Sequence, residues 1–481
     1  MAYRHYLCIL FSLLYIAFPL FASEAEDNFL NSETVSNAIV GYLVKNLRTG
    51  EVYASFRANN VVAPASTMKL LTTSTALEML GGDFRFETYL ETDGKIENGI
   101  LNGNVYIRGT GDPTLGSQKV GNQMFLYKWT QMLVRKGIKQ INGDIVADMS
   151  FFDADAVNPA WMWEDIGNYY APAIFSLAYL DNTVNIQLRS AEIGSVAEVV
   201  KTLPEVEELQ FENHIRCTKI EYDGAYVHGM PLNNTRYLVG SVPSNRGIFG
   251  VKGDLPNPGL LLARHFKANL QEQGVTVSGA PAYITEQQLD ANGNPVERTM
   301  LYIHLSEPLR DIIAETNINS NNHYAEQVFR YLGSRITVPT TISNSQLIIN
   351  SFWKNRKINL SACRIEDGSG LAPIDAVSPE VFVALLAYMY KSKNFADFYA
   401  SLPVAGESGT LRSFCYKTAL EHRLHAKSGT TSTVKSYAGY IEAENGDTWA
   451  FSVVVNNQKG KVMNAQKEIQ RFLNDIYKAH K

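Results

Sequence analysis

Two apolar-rich runs, Ala38 to Asn46 (AIVGYLVKN) and Glu51 to Phe56 (EVYASF), flank the turn residues Leu47 to Gly50 and predict a β-hairpin. Ala63-Pro64-Ala65 then leads into Ser66 to Leu80, where Met68, Leu70, Leu71, Ala76, Leu77 and Leu80 predict a largely buried helix. Between about residue 85 and about residue 300 the texture changes. Short apolar runs recur between turn clusters such as Gly109-Thr110-Gly111-Asp112-Pro113, Asn142-Gly143-Asp144 and Pro256-Asn257-Pro258-Gly259, the pattern of β-rich modules. One helix interrupts it at Gly259 to Gln273, with Leu262, Phe266 and Leu270 at helical spacing. Helical texture returns at Leu309 to Glu315, Tyr324 to Leu332 and Pro379 to Tyr390. Strands follow at Leu424 to Lys427, Ser436 to Ala443 and Trp449 to Asn456. A last helix, Val462 to Tyr477, carries Ile469, Phe472, Leu473 and Ile476 on one face and mixed charges on the other, which suits packing on a sheet. Two strands near the start and three near the end can form one antiparallel sheet, with the β-rich middle as an insertion.

The first residues are of another kind. Arg4 and His5 precede an apolar run from Tyr6 to Phe21, followed by Ala22, Ser23 and Ala25, the layout of an export signal over 1–22. Cys8 lies inside the run rather than at its end, which argues against lipid attachment. No later stretch is long and apolar enough to span a bilayer. The 481 residues carry a formal net charge of −5 with no basic block, so nucleic acid is excluded as a partner. Cys217, Cys363 and Cys415 are scattered and odd in number, neither a disulfide framework nor a zinc pattern. One bridge plus a thiol and three buried thiols both fit, and the burial habit of free cysteine favours the second. Trp161, Trp163, Tyr169 and Tyr170 read as core aromatics in preference to a carbohydrate platform. His422 and His425 read as surface residues beside a strand. No His-Glu-x-x-His motif is present, and no cofactor is called for.

Three short motifs carry chemistry: Ser66-Thr67-Met68-Lys69, Ser320-Asn321-Asn322 and Lys427-Ser428-Gly429-Thr430. Each alone reads as capping, an exposed lysine or a strand end. Ser-x-x-Lys also occurs at Ser351/Lys354 and at Ser432/Lys435. Context favours the first copy. On a helix, Ser66 and Lys69 share a face, so the amine can take the hydroxyl proton. The apolar neighbours Met68, Leu70 and Leu71 favour the neutral amine. A helix start also offers backbone N–H groups to an oxyanion. Ser320 can relay a proton and Asn322 can hold both lysine and substrate carbonyl. The strand around Lys427 to Thr430 can pair with an extended peptide, Gly429 allowing close approach.

Taken in this order, the three motifs resemble those of the penicillin-recognising serine enzymes, specifically the class C low-molecular-mass penicillin-binding proteins, the D-alanyl-D-alanine carboxypeptidase/endopeptidase family. Gly109-Thr-Gly-Asp-Pro-Thr-Leu115, Tyr170-Ala-Pro172, Asp367-Gly-Ser-Gly-Leu371, Leu402-Pro-Val-Ala-Gly406 and Gly409-Thr-Leu411 strengthen the likeness. The long stretch between Ser66 and Ser320 matches a family whose catalytic domain carries large insertions.

The resemblance implies an α+β fold: a penicillin-binding/β-lactamase-like transpeptidase domain, with a five-stranded antiparallel sheet flanked by helices, over 23–85 and 305–481. A β-rich insertion of one or two domains would occupy 86–304, with a nested unit near 165–235. It further implies Ser66 as acylated nucleophile, Lys69 as base, Ser320 as proton relay and Asn322 as orienting amide. Lys427 would meet the substrate carboxylate, Ser428, Gly429 and Thr430 would line the strand edge, and the N–H groups of Ser66 and Thr430 would form the oxyanion hole. Peptidoglycan stem peptides, their cross-links and β-lactams are the implied partners, in the periplasm. A homodimer is compatible with the sequence, which does not decide it. Asn321 stands where the family usually has an acid, and Ser428 where threonine is usual. A β-lactamase is disfavoured by the missing Glu-x-x-Leu-Asn pattern. A non-catalytic sensor on the same fold would acylate without turning over.

Overall fold

The computed structural model describes residues 24–481; the expected leader, 1–22, lies outside the described residues. The chain forms two compact units. The first comprises the chain up to Gly82, Ile313–Asn321 and Ile349–Lys481, and the second comprises Asp83–Ile312 and Asn322–Ile348.

The first unit is built on a five-stranded antiparallel sheet in the order Leu424–Thr430, Val434–Glu442, Thr448–Asn456, Ile39–Asn46, Val52–Phe56. The chain start and the chain end thus share one sheet. Thr448–Asn456 (TWAFSVVVN) is apolar almost throughout because both its faces are covered. Helix Pro379–Tyr390 covers one face. Helix Val462–His480 covers the other, burying the Ile469, Phe472, Leu473 and Ile476 stripe. Phe472 stacks on Phe29 at 4.7 Å, which ties the chain start to the same core. Leu424–Thr430 is an edge strand, so one of its sides has no strand partner within the sheet.

The second unit has a five-stranded mixed sheet with helix Pro258–Glu272 packed on it. Asn257 caps that helix, its side chain accepting from Leu260 N–H at 2.9 Å, and Pro258 occupies the first turn. A separate apolar cluster from Val184 to Val251 fills the space between a three-stranded and a four-stranded sheet. Two helices that the sequence pattern did not announce, Phe125–Arg135 and Ile342–Lys354, are present. The segment Asn322–Ile348, grouped by sequence with the C-terminal part, clusters with this unit. Its helix Asn322–Gly333 sends Tyr324 to Ser117 Oγ (2.8 Å), Gln327 to the Phe175 carbonyl (2.9 Å) and Arg330 to the Asp155 carbonyl (2.9 Å).

Some aromatic expectations need correction. Trp161 is buried, but Trp163 and Tyr169 are exposed and Tyr170 is half-buried. These residues lie in an irregular loop, where no strand or helix period directs alternate side chains inward. Cys217, Cys363 and Cys415 are all free; the first and last are buried and Cys363 is half-buried. His422 is exposed, whereas His425 is half-buried and stacks on Tyr399 at 4.4 Å.

Candidate active site

The chain reaches Ser66 through a tight 3₁₀ turn, Ala65–Met68, which continues as helix Lys69–Leu80. Ala65 is held at φ 48°, a left-handed conformation that costs a non-glycine residue energy. Two hydroxyls fasten the turn: Thr67 Oγ1 and Ser436 Oγ donate to the Pro64 carbonyl at 2.7 and 2.6 Å. Ser436 belongs to Val434–Glu442, the strand next to the edge, so the turn is tied to the sheet there. Helical spacing then brings Lys69 beneath Ser66, with Nζ 3.0 Å from Oγ. Lys69 is fully buried, in contrast to an ordinary helix lysine.

A second partner fixes that amine. Nζ donates to the Ser369 carbonyl at 2.7 Å. The loop that presents this carbonyl is organised by Asp367, whose carboxylate accepts the backbone N–H groups of Ser369 (3.0 Å), Gly370 (2.6 Å), Leu371 (3.0 Å) and Ala372 (2.8 Å). Thr72 Oγ1 ties the Gly368 carbonyl to the same helix at 2.8 Å. Gly370 has φ 77°, and a Cβ there would lie 1.9 Å from the Ala65 carbonyl oxygen. Only glycine lets this loop sit against the Ala65–Met68 turn. Asp-Gly-Ser-Gly is a turn signature in the sequence, but the carbonyl's role is not written in any side chain.

Ser320 occupies a turn after helix Leu309–Ile318, again left-handed at φ 58°. Glu315 braces it, accepting from the amides of Asn319 at 2.6 Å and Asn321 at 3.2 Å. Asn321, where the resemblance expects an acid, is thus held by an acid from the preceding helix. Ser320 Oγ accepts from Lys427 Nζ at 3.0 Å, and Lys427 also donates to the Ser428 carbonyl at 2.7 Å. Lys427 is fully buried. Burial first, then the neighbouring charges of Lys69 and Lys435, push its pKa well below the ordinary lysine value.

The edge strand passes close to Ser66. A Cβ at Gly429 would stand 2.6 Å from the Pro64 carbonyl oxygen and 3.0 Å from Ser66 N. Ser428 Oγ donates to Thr410 Oγ1 at 2.8 Å, and Thr430 Oγ1 accepts from Lys435 Nζ at 2.8 Å. Gly409, at φ 51°, packs so tightly that a Cβ would meet the Ile318 carbonyl at 2.2 Å, which places the Gly409–Leu411 turn beside Ser320.

Ser66, Lys69, Ser320, Lys427, Ser428, Gly429 and Thr430 therefore all belong to the first unit. Asn322 opens a helix of the second, where its side-chain amide donates to the Tyr170 carbonyl at 2.9 Å. Sequence reasoning gave no role at the site to Ser369, Asp367, Glu315, Ser436 or Lys435. A hydroxyl bonded to a buried amine, beside a second hydroxyl–amine pair and a strand edge, is an arrangement suited to nucleophilic acyl transfer.

The D-Ala-D-Ala carboxypeptidase 3 (S13) family matches residues 22–476. The chain belongs to that family. Among its relatives is the D-alanyl-D-alanine carboxypeptidase DacB of Haemophilus influenzae, 27% identical over 92% of this chain and 91% of the relative. The D-alanyl-D-alanine carboxypeptidase of Actinomadura sp. R39 is 27% identical over 91% and 81%. Penicillin-binding protein 4 (dacB) of Haemophilus influenzae, also solved in complex with a β-lactam, shares the fold: TM-score 0.81 at 23% identity, covering 94% of this chain and 98% of that one. The S13 chain is accordingly α+β, with its five-stranded antiparallel sheet flanked by helices in the penicillin-binding manner.

Proposed function

We propose that the chain is a serine D-alanyl-D-alanine carboxypeptidase acting on peptidoglycan stem peptides, able also to cut cross-links, and that penicillins acylate the same serine. The observation that carries this reading is the Ser66 Oγ–Lys69 Nζ pair at 3.0 Å, with the amine pinned from behind by the Ser369 carbonyl. When Lys69 is neutral that hydrogen bond reverses: the hydroxyl donates and the amine accepts its proton. Oγ then attacks the carbonyl carbon of the penultimate D-alanine. Negative charge builds on its oxygen, toward the N–H groups of Ser66 and Thr430. Collapse breaks the C–N bond, and the departing amine takes, through Ser320, the proton that Lys69 received from Ser66, which leaves Lys69 neutral again; the Ser320 hydroxyl is held by Lys427. Water attacks the ester, with Lys69 again as base, to release the acyl group and restore the serine.

Lys427, Ser428 and Thr430 receive the substrate's carboxylate along the Gly429 edge. The first unit is the catalytic domain and the second an accessory insertion. A peptidoglycan substrate supports a working location outside the cytoplasmic membrane, in the periplasm. Among the described residues no helix is long and apolar enough to cross a membrane.

The test is covalent labelling with a fluorescent penicillin, together with D-alanine release from a stem peptide. Wild-type protein is labelled and releases D-alanine; Ser66→Ala does neither. Undiminished labelling of the variant would remove Ser66 as nucleophile. Labelling of wild type without peptide hydrolysis would favour a sensor.

A further inference from the structure

Lys435 is 6% exposed and stands directly opposite Thr430 in the antiparallel pair that forms the site's edge. Its ammonium donates to Thr430 Oγ1 at 2.8 Å and lies 4.9 Å from the centre of the Tyr437 ring. Among the described residues no carboxylate figures in the electrostatics of either amine: burial lowers both, and the neighbouring charges of Lys69 and Lys435 add to it at Lys427. A buried ammonium without a carboxylate partner is costly to the folded chain, and an anionic ligand is what relieves that cost. Thr430 is the exposed end of its strand. An ammonium has no lone pair, so the Thr430 oxygen must accept from it, and its single proton is left to donate elsewhere.

We propose that Lys435 is a positioning residue for the carboxylate end of the site: it locks the Thr430 hydroxyl as a donor and supplies positive charge behind it. The anion is the terminal carboxylate of the D-alanyl peptide, or the ring carboxylate of a penicillin. This rests on the acyl-transfer reading above and adds a source of preference for a free carboxyl terminus over a blocked one.

Burial brings the Lys435 pKa down to about 8. The amine is charged below that pH and neutral above it, so preference for a carboxylate is full below about pH 8 and fades as pH rises through it. The titratable groups around it are Lys427 on the adjoining strand and the Tyr437 phenol on its own strand. The strand on its other side places Val455 opposite it, which does not titrate.

The experiment compares the second-order rate of acylation by benzylpenicillin with that by its methyl ester. It uses the full chain, Lys435→Met and Lys435→Arg, from about pH 7 to about pH 9.5. The acid-to-ester ratio should fall ~10-fold in Lys435→Met, the scale of one charge-assisted hydrogen bond, and return to within ~3-fold of wild type in Lys435→Arg. The wild-type ratio should decline above about pH 8 more steeply than the Lys435→Arg ratio, because arginine keeps its charge there. An unchanged ratio in Lys435→Met overturns the proposal. Should that variant not fold, identical pH profiles for wild type and Lys435→Arg overturn it instead. Failure of wild type to be acylated by either compound would strike the Ser66 reading, a different outcome.

Discussion

Gly370→Ala probes whether the Ser369 carbonyl governs Lys69. Two costs can be worked out separately. The first is conformational: Gly370 sits at φ 77°, where a Cβ costs about 1–2 kcal/mol. The second is steric. The new Cβ would lie 1.9 Å from the Ala65 carbonyl oxygen, whereas real Cβ atoms essentially never come within 3.0 Å of such a neighbour. Loop or nucleophile turn must therefore yield by about 1 Å, adding about 1–3 kcal/mol of overpacking strain. Ser369 precedes Gly370, and Ala65 precedes Ser66, so the shift falls on one side or the other of the Lys69 contacts. Adding about 1 Å to the 2.7 Å Lys69–Ser369 hydrogen bond breaks it. Misplacement on this scale costs ~100-fold in rate. Gly446→Ala is the matched control: φ is 84° and nothing lies within 4 Å of the new Cβ, so it carries the conformational cost alone. Penicillin acylation rates and urea unfolding on both variants give the answer. Gly446→Ala should lose about 1–2 kcal/mol of stability and acylate normally. Gly370→Ala should lose more and acylate ~100-fold more slowly. A destabilised Gly370→Ala that acylates at the wild-type rate would refute the claim that this loop sets the lysine.

Two further outcomes concern Lys69 and His304. Lys69→Ala should fold and still bind penicillin, but acylate at least ~100-fold more slowly in a stopped-flow assay, the scale of a lost general base; normal acylation would rule out the amine as base. His304 lies among the rings of Phe125 and Trp129, and burial, then the charge of Lys128, lowers its pKa to about 4. The folded chain keeps it neutral while the unfolded chain takes a proton near 6.5, so stability present above that pH is lost as pH falls through about 4. The loss is at most about 3 kcal/mol, and His304→Phe should remove it. If urea unfolding shows the same acid loss in His304→Phe as in wild type, the histidine is not its source.

The central sheet was legible because inner strands such as Thr448–Asn456 are mostly apolar and buried on both faces, and the terminal helix because Ile469, Phe472, Leu473 and Ile476 keep helical spacing. Helix Phe125–Arg135 was not. Phe125, Trp129 and Leu133 do recur every four residues and are buried, but the segment mixes β-favouring aromatics with neighbours rich in turns. Its tertiary packing decides the matter. The pattern from Tyr324 to Leu332 announced a helix correctly, yet a periodic face does not say which core it will meet.

The site divides along the same line. Ser66, Lys69, Ser320 and Lys427 could be named in advance because the roles proposed for them rest on side-chain chemistry, and a hydroxyl or an amine is visible in a string of letters. Ser369 contributes a main-chain oxygen that any residue possesses; what makes it available is the Asp367 carboxylate gathering four N–H groups and a glycine permitting contact with the nucleophile turn. Lys435 becomes relevant only through register. A one-residue slip in the hairpin after Thr430 would turn its side chain to the opposite face and away from the Thr430 hydroxyl. Glu315 likewise acts through the turn it braces, by reaching two amides that flank Ser320. Groups that perform chemistry are thus read from residue type, whereas groups that hold them depend on backbone path and pairing, which the motifs leave unstated.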